Sequence, residues 1–183
     1  MKIRITENQL NRLINETENR GDGTILRASQ KFWDWLRWHE GSIVKKGEPM
    51  LKTYKDSVGV WTIGYGHTGK EAYKGNVITN DRANELFVND VKDAAKCVKR
   101  FLNTWKKNNN EGYRLKLNEY EAIISLVINS GCSGVRTSDF IQKVKNGKYS
   151  EAAESILTYK SVGLENRRNG EYELFKNGKY LRE

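Results

Sequence analysis

Hydrophobic spacing changes period partway along this 183-residue chain, and that change restricts the possible folds more than any other feature. Leu26, Phe32, Trp35 and Leu36 recur at helical spacing within residues 25–39 and run into Glu40-Gly41, where glycine can end a helix. From 51 to 66 the pattern favours strands: Thr53-Tyr54-Lys55, then Val58 to Gly66, punctuated by Gly59, Gly64 and Gly66. A small antiparallel sheet is expected there. Thr79 then offers a hydroxyl to cap a helix beginning at Asp81, with a stripe of Ala83, Leu86, Phe87, Val91, Ala94, Ala95 and Val98 that runs to about Phe101. The stretch Trp105–Arg114, rich in Lys and Asn, reads as a polar loop, and further helices are predicted near 118–129, 137–145, 150–158 and 164–176. The pattern describes an α+β fold: a small lobe with a short sheet, one long helix, and a helical C-terminal lobe.

Residues 1–24 read as an appendage ahead of a main domain at 25–183. They comprise a short amphipathic helix over 6–17, with Leu10, Leu13 and Ile14 on one face, and a Gly-containing polar linker. The N-terminus has no apolar stretch of the secretory type, so the protein is expected to be made and kept in the cytoplasm. No run approaches the roughly 18–20 apolar residues that span a bilayer, so stable membrane insertion is not expected. The net charge of +9 favours anionic partners, whether nucleic acid or an anionic envelope. A nucleic-acid binder would carry a phosphate-tracking basic stripe and a recognised motif; neither is found. Cys97 and Cys132 lie far apart and in no metal-like or redox-like spacing, so two reduced thiols are expected, with a disulfide as the alternative. No cofactor is expected, and a monomer is.

Glu40, Asp56 and Thr62 form the constellation with chemical content. Glu40 ends a segment carrying Phe32, Trp33, Trp35 and Trp38. Apolar surroundings disfavour the charged form of a carboxyl, as a general acid requires. Asp56 stands at a strand end beside Gly59, where it can stay solvated and ionised, and a hairpin would bring Thr62 near it. A carboxylate and a hydroxyl together can hold and polarise a water. Two carboxyl groups in different environments flanking a cleft are the minimum for glycoside hydrolysis.

These residues sit in an ordered string. Glu40-Gly41, then Leu51-Lys52-Thr53-Tyr54-Lys55-Asp56-Ser57-Val58-Gly59-Val60-Trp61-Thr62-Ile63-Gly64-Tyr65-Gly66-His67-Thr68-Gly69, resembles the signature of the phage-type lysozymes, the glycoside hydrolase family of tailed-phage endolysins. The resemblance continues through residues 75–87 and Asp90-Val91, returns in 122–131, Thr137-Ser138 and 163–168, and covers roughly 26–178. It implies a lysozyme-like fold with a cleft between lobes, and an endolysin that cuts the β-1,4 bond between N-acetylmuramic acid and N-acetylglucosamine of peptidoglycan. It implies Glu40 as proton donor to the glycosidic oxygen, Asp56 as second carboxylate and Thr62 as the hydroxyl that helps place the attacking water. The family is regarded as inverting, which sets an expected carboxyl separation of roughly 6.5–9.5 Å. The sequence departs from the family in residues 42–50, an apparent insertion containing the only proline, Pro49; a loop insertion can be absorbed without moving its ends.

The resemblance also points to an ion pair between His67 and Asp90, to Arg167 as a partner for Glu40, and to Asn129 and Ser138 as polar groups lining the sugar site. The alternatives are a solvated basic face for Arg167 and Arg168, helix capping for Ser138 and a buried, hydrogen-bonded Asn129. His39 is expected to be exposed, and most of the tryptophans are expected to pack in the core. Action on a wall from the cytoplasm implies release by a holin. A virion-borne wall-penetrating lysozyme and a non-catalytic wall-binding module are the competing settings.

Overall fold

The computed structural model describes residues 28–41, 46–109 and 115–182. The chain forms two compact units that divide between Phe87 and Val88. The predicted helix over 6–17 and its linker lie outside the described residues.

The first unit opens with α1 (Gln30–Glu40), capped at its start by Ser29, whose hydroxyl accepts from the Phe32 N–H. Its apolar face buries Phe32, Trp33, Trp35 and Leu36, and Trp33 meets Phe87 edge-on at 5.7 Å. Strands β1 (Met50–Lys55) and β2 (Trp61–Gly64) form an antiparallel hairpin with Tyr54 opposite Thr62 and Lys55 opposite Trp61. A register shift between Met50 and Tyr54 bends β1. On the other edge of β1, residues 76–78 add a short bridge through Thr53 N–H to Asn76 O and Ile78 N–H to Leu51 O. Ile63, Ala72 and Leu86 form a core cluster against which Trp61 and Ile78 pack.

Helix α2 (Asn80–Asn109) starts at the predicted cap: the Thr79 hydroxyl accepts from the Arg82 N–H at 3.2 Å. It does not stop near Phe101 as expected; the helix continues through Asn109, over residues read from the sequence as polar loop. Lys and Asn in that stretch lower an apolar moment without forbidding helical backbone, and a nucleated helix propagates at little cost.

The second unit adds α3 (Leu117–Ser130), α4 (Cys132–Arg136), α5 (Asp139–Lys145), α6 (Tyr149–Thr158) and α7 (Glu165–Asn177). The predicted helix over 137–145 is α5, which starts two residues later than expected behind its Ser138 cap, and the short α4 ahead of it was not predicted. α3 is buried almost all round, with Ile123, Ile124, Leu126 and Val127 in the core and Phe140 against Phe175 edge-on at 5.3 Å. Asn118 donates to the Leu174 and Phe175 carbonyls, satisfying C-terminal groups of α7 that have no partner within the helix. The cysteines depart from the expected reduced pair: Cys97 on α2 and Cys132 at the start of α4 form a disulfide with Cα atoms 6.1 Å apart. Their separation of 35 residues gave no local motif, and helix packing brings them together.

Candidate active site

The hairpin sorts its side chains by alternation. Lys55 and Trp61 share one face, with the Lys55 ammonium 5.5 Å from the Trp61 ring centroid, and Trp61 and Ile63 lean on the core cluster. Tyr54, Asp56 and Thr62 belong to the other face. The ladder reaches one pair beyond the strands, since the Asp56 N–H donates to Val60 O at 3.0 Å, and so Asp56 keeps the alternation begun at Tyr54.

Asp56 is tightly held. Its Oδ1 accepts from the Val58 N–H at 3.0 Å and the Val60 N–H at 2.8 Å, and its carbonyl accepts from Gly59 N–H. Gly59 supplies the positive φ, +84°, that this tight turn needs. Among the described residues Oδ2 accepts no hydrogen bond, which leaves one carboxylate oxygen open on a half-buried side chain. Thr62 is buried at 3% exposure, and its hydroxyl donates to Val60 O at 3.2 Å.

Glu40 is the last residue of α1 and is half-buried. Gly41 caps the helix, donating to Arg37 O at 2.8 Å. A Cβ on Gly41 would stand 2.4 Å from Gly47 N, so the residue that leads into the apparent insertion at 42–50 touches backbone within it. The Glu40 Oε2 comes up against Gly66, 3.5 Å from where a Cβ would be. Gly66 belongs to a tight turn closed by reciprocal hydrogen bonds between Ile63 and His67, 3.0 and 2.9 Å, with Gly64 at φ +66° and Gly66 at +90°. One turn therefore sets the end of β2, the surface beside Glu40 and the position of His67. Tyr54 feels both carboxyl groups: its phenol is held above its ordinary range by burial, then by the charges of Asp56 and Glu40.

The supporting residues fall as follows. His67 is half-buried, with Nε2 close to Gly69, and its charge adds to that of Arg82 in acting on Glu71. The Arg82 guanidinium grips Glu71 and Glu85 and holds the Glu71 carboxyl below its usual range. Asp90 is half-buried on α2, in the second unit. His39, expected exposed, is half-buried: its ring meets Trp35 edge-on at 4.3 Å and Trp38 at 4.9 Å, because Trp35 lies one helical turn back.

Arg167 and Arg168 are buried, at 8% and 0% exposure, which excludes the solvated basic face. Both converge on Glu171, itself fully buried. Arg167 Nε donates to Glu171 Oε1 at 3.1 Å, Arg168 Nη1 donates to Oε2, and the Ser125 hydroxyl donates to Oε1 at 2.7 Å. Arg168 also donates to Tyr159 O and, at 2.5 Å, to Asn129 Oδ1. Sequence reasoning missed Glu171 and Ser125; the available signal was two adjacent arginines within a helix that also carries Leu174 and Phe175. Asn129 is half-buried, and its amide oxygen accepts from Arg168. Ser138 caps α5: its hydroxyl accepts from Ile141 N–H and donates to Val135 O at 2.7 Å. Among the described residues, no group of three or more His, Cys, Asp or Glu is arranged to hold a metal.

Comparison with known proteins adds an independent line. Residues 46–171 match the phage lysozyme family; Glu40 lies just ahead of the matched stretch. The chain is 33% identical over 146 residues to an endolysin of Acyrthosiphon pisum secondary endosymbiont phage 1, covering 74% of this chain and 93% of that protein. It is also 33% identical over 120 residues to the endolysin of Salmonella phage P22, covering 62% of this chain and 74% of the relative. The solved endolysin from Escherichia coli O157:H7 phage FAHEc1 superimposes with a TM-score of 0.67 at 26% identity, over 85% of this chain and 96% of that one. The α+β, lysozyme-like fold expected from the sequence is the one found, and the chain belongs to the phage lysozyme family.

Proposed function

We propose that this protein is an endolysin that hydrolyses the β-1,4 bond between N-acetylmuramic acid and N-acetylglucosamine of bacterial peptidoglycan by an inverting general acid–base mechanism. The observation that carries this reading is the shared hairpin face of Asp56 and Thr62, where the charges of Asp56 and of Glu40 from α1 both reach Tyr54. Glu40 gives its proton to the glycosidic oxygen as the bond to the anomeric carbon breaks. Asp56, its Oδ1 fixed by two N–H groups, takes a proton through Oδ2 from a water that attacks the opposite side of that carbon. The Thr62 hydrogen is committed to Val60, so Thr62 orients the same water by accepting from it through an oxygen lone pair.

His67, Asp90 and Arg167 support the site in this reading, and Asn129 and Ser138 contact the glycan, Asn129 by donating from its amide nitrogen. The protein acts as a monomer, is made in the cytoplasm and reaches the wall after holin-dependent release, for host lysis. The Cys97–Cys132 disulfide is in keeping with work outside a reducing compartment, and the +9 charge with capture by an anionic envelope.

The test is clearance of a peptidoglycan suspension by wild type and by Glu40→Gln. Loss of roughly 100- to 10,000-fold is expected for removal of a general acid. Equal clearance by the two proteins overturns the assignment. Mass analysis of released muropeptides decides the bond: reducing ends on N-acetylmuramic acid are expected, and reducing ends on N-acetylglucosamine overturn it. Proton NMR of the fresh product in heavy water reads the anomer, which should be inverted.

A further inference from the structure

Tyr54 is the residue on the site face with no assigned role. It lies two residues before Asp56 on the same side of the ladder and directly opposite Thr62. The third group, Glu40, comes to the turn that follows β2, and its charge reaches the Tyr54 phenol together with that of Asp56. The Tyr54 ring is half-buried, and its hydroxyl donates to no group among the described residues, so one O–H donor stands uncommitted within electrostatic reach of two carboxyl groups.

We propose that Tyr54 is a positioning residue that donates its hydrogen bond to whichever of Asp56 and Glu40 carries the negative charge as the reaction proceeds. This rests on the inverting acid–base reading given above. At the start of that reaction Asp56 is ionised and Glu40 protonated. At its end Asp56 holds the proton taken from water and Glu40 has given its own to the leaving oxygen. The pair carries one negative charge throughout, and that charge moves from one carboxyl to the other. A phenol within reach of both stabilises both ends of the transfer by turning its O–H, and it neither gains nor loses a proton. The group must remain a neutral donor for this. Burial, and then the negative charge held by the Asp56–Glu40 pair, keep it so by pushing its ionisation above the ordinary phenol range.

Tyr54→Phe removes the O–H and keeps the ring. One hydrogen bond to a charged group corresponds to a loss of about 10- to 100-fold in kcat. The expected result is that loss with an unchanged melting temperature, and a bell-shaped pH–rate profile moved to higher pH on both limbs. The direction follows because a lost donor makes each carboxylate easier to protonate. The groups facing the phenol are Asp56 from the hairpin and Glu40 from α1, so both limbs must respond. A purely structural tyrosine would lower the melting temperature and leave the profile where it was. Wild-type kcat with an unmoved profile overturns the proposal. If Glu40→Gln is inactive and Tyr54→Phe is fully active, the role of Tyr54 alone fails; if Glu40→Gln is active, the acid–base reading itself fails.

Should Tyr54→Phe fold poorly, 3,5-difluorotyrosine at position 54 keeps the shape and makes the phenol more acidic. The alkaline limb should then fall at lower pH than in wild type, as the donor is lost by ionisation. An alkaline limb that stays in place overturns the proposal.

Discussion

Gly41 carries a constraint that no side-chain contact reveals, since a Cβ there would stand 2.4 Å from Gly47 N and 2.8 Å from its Cα. Both neighbours are backbone and cannot swing aside. Gly41→Ala should therefore cost about 1–3 kcal/mol in urea melts, as overpacking does. Activity should fall further than that cost implies, because the displaced backbone belongs to the residue after Glu40. Glu171 makes the opposite case, a buried charge whose removal takes a carboxylate from two buried guanidinium groups. Breaking such a network from one side costs about 3–5 kcal/mol, so Glu171→Ala should be barely folded at 37 °C by circular dichroism. The placement of Glu40 at a helix end and of Asp56 and Thr62 on a hairpin was legible in sequence, because spacing fixes those elements. Glu171 was not, because a carboxylate in a helix is by default a surface group, and only the buried arginines opposite it give it a purpose.

The elements divide in the same way. β1, β2 and the start of α2 could be read from alternation and from Thr79, whose hydroxyl caps as expected. The end of α2 could not: residues 102–109 stay helical although their composition reads as loop. The short α4 also escaped, since five residues, Cys132–Arg136, are too few to show a helical period. The Cys97–Cys132 link ties α2 to α4 across 35 residues, a closure worth about 4 kcal/mol in the unfolded-chain account. Reduction, or Cys97→Ser with Cys132→Ser, should lower the urea midpoint accordingly, read by tryptophan fluorescence with and without reductant. In the first unit, Arg82 holds the Glu71 carboxyl below its ordinary range, so ionised Glu71 favours the folded state. That stability is present above the unfolded carboxylate range and is lost as pH falls through the lowered folded value. Both side chains are more than a third exposed to water, at 34% and 42%, so solvent screening keeps the effect small. Glu71→Gln should lower the melting temperature slightly at neutral pH, leave it unchanged in strong acid, and so flatten the melting-temperature-against-pH curve between them.

For the chain taken together, the charge of +9 acts on encounter more than on chemistry. Lysis of whole cells or sacculi should slow as salt rises from low to physiological strength, while hydrolysis of a short neutral chito-oligosaccharide stays level. Equal salt dependence on both substrates would remove any role for the field in reaching the wall. Fold class and family were readable at this level because a dense signature lies in one stretch, residues 51–69. The division into two compact units at Phe87 was not, since it falls inside a continuous helix where no break in composition marks it. The touching backbones of Gly41 and Gly47 have an evolutionary meaning as well. Gly41 follows Glu40 directly and its approach to Gly47 admits no Cβ, so lineages that keep the chemistry are expected to keep glycine at position 41.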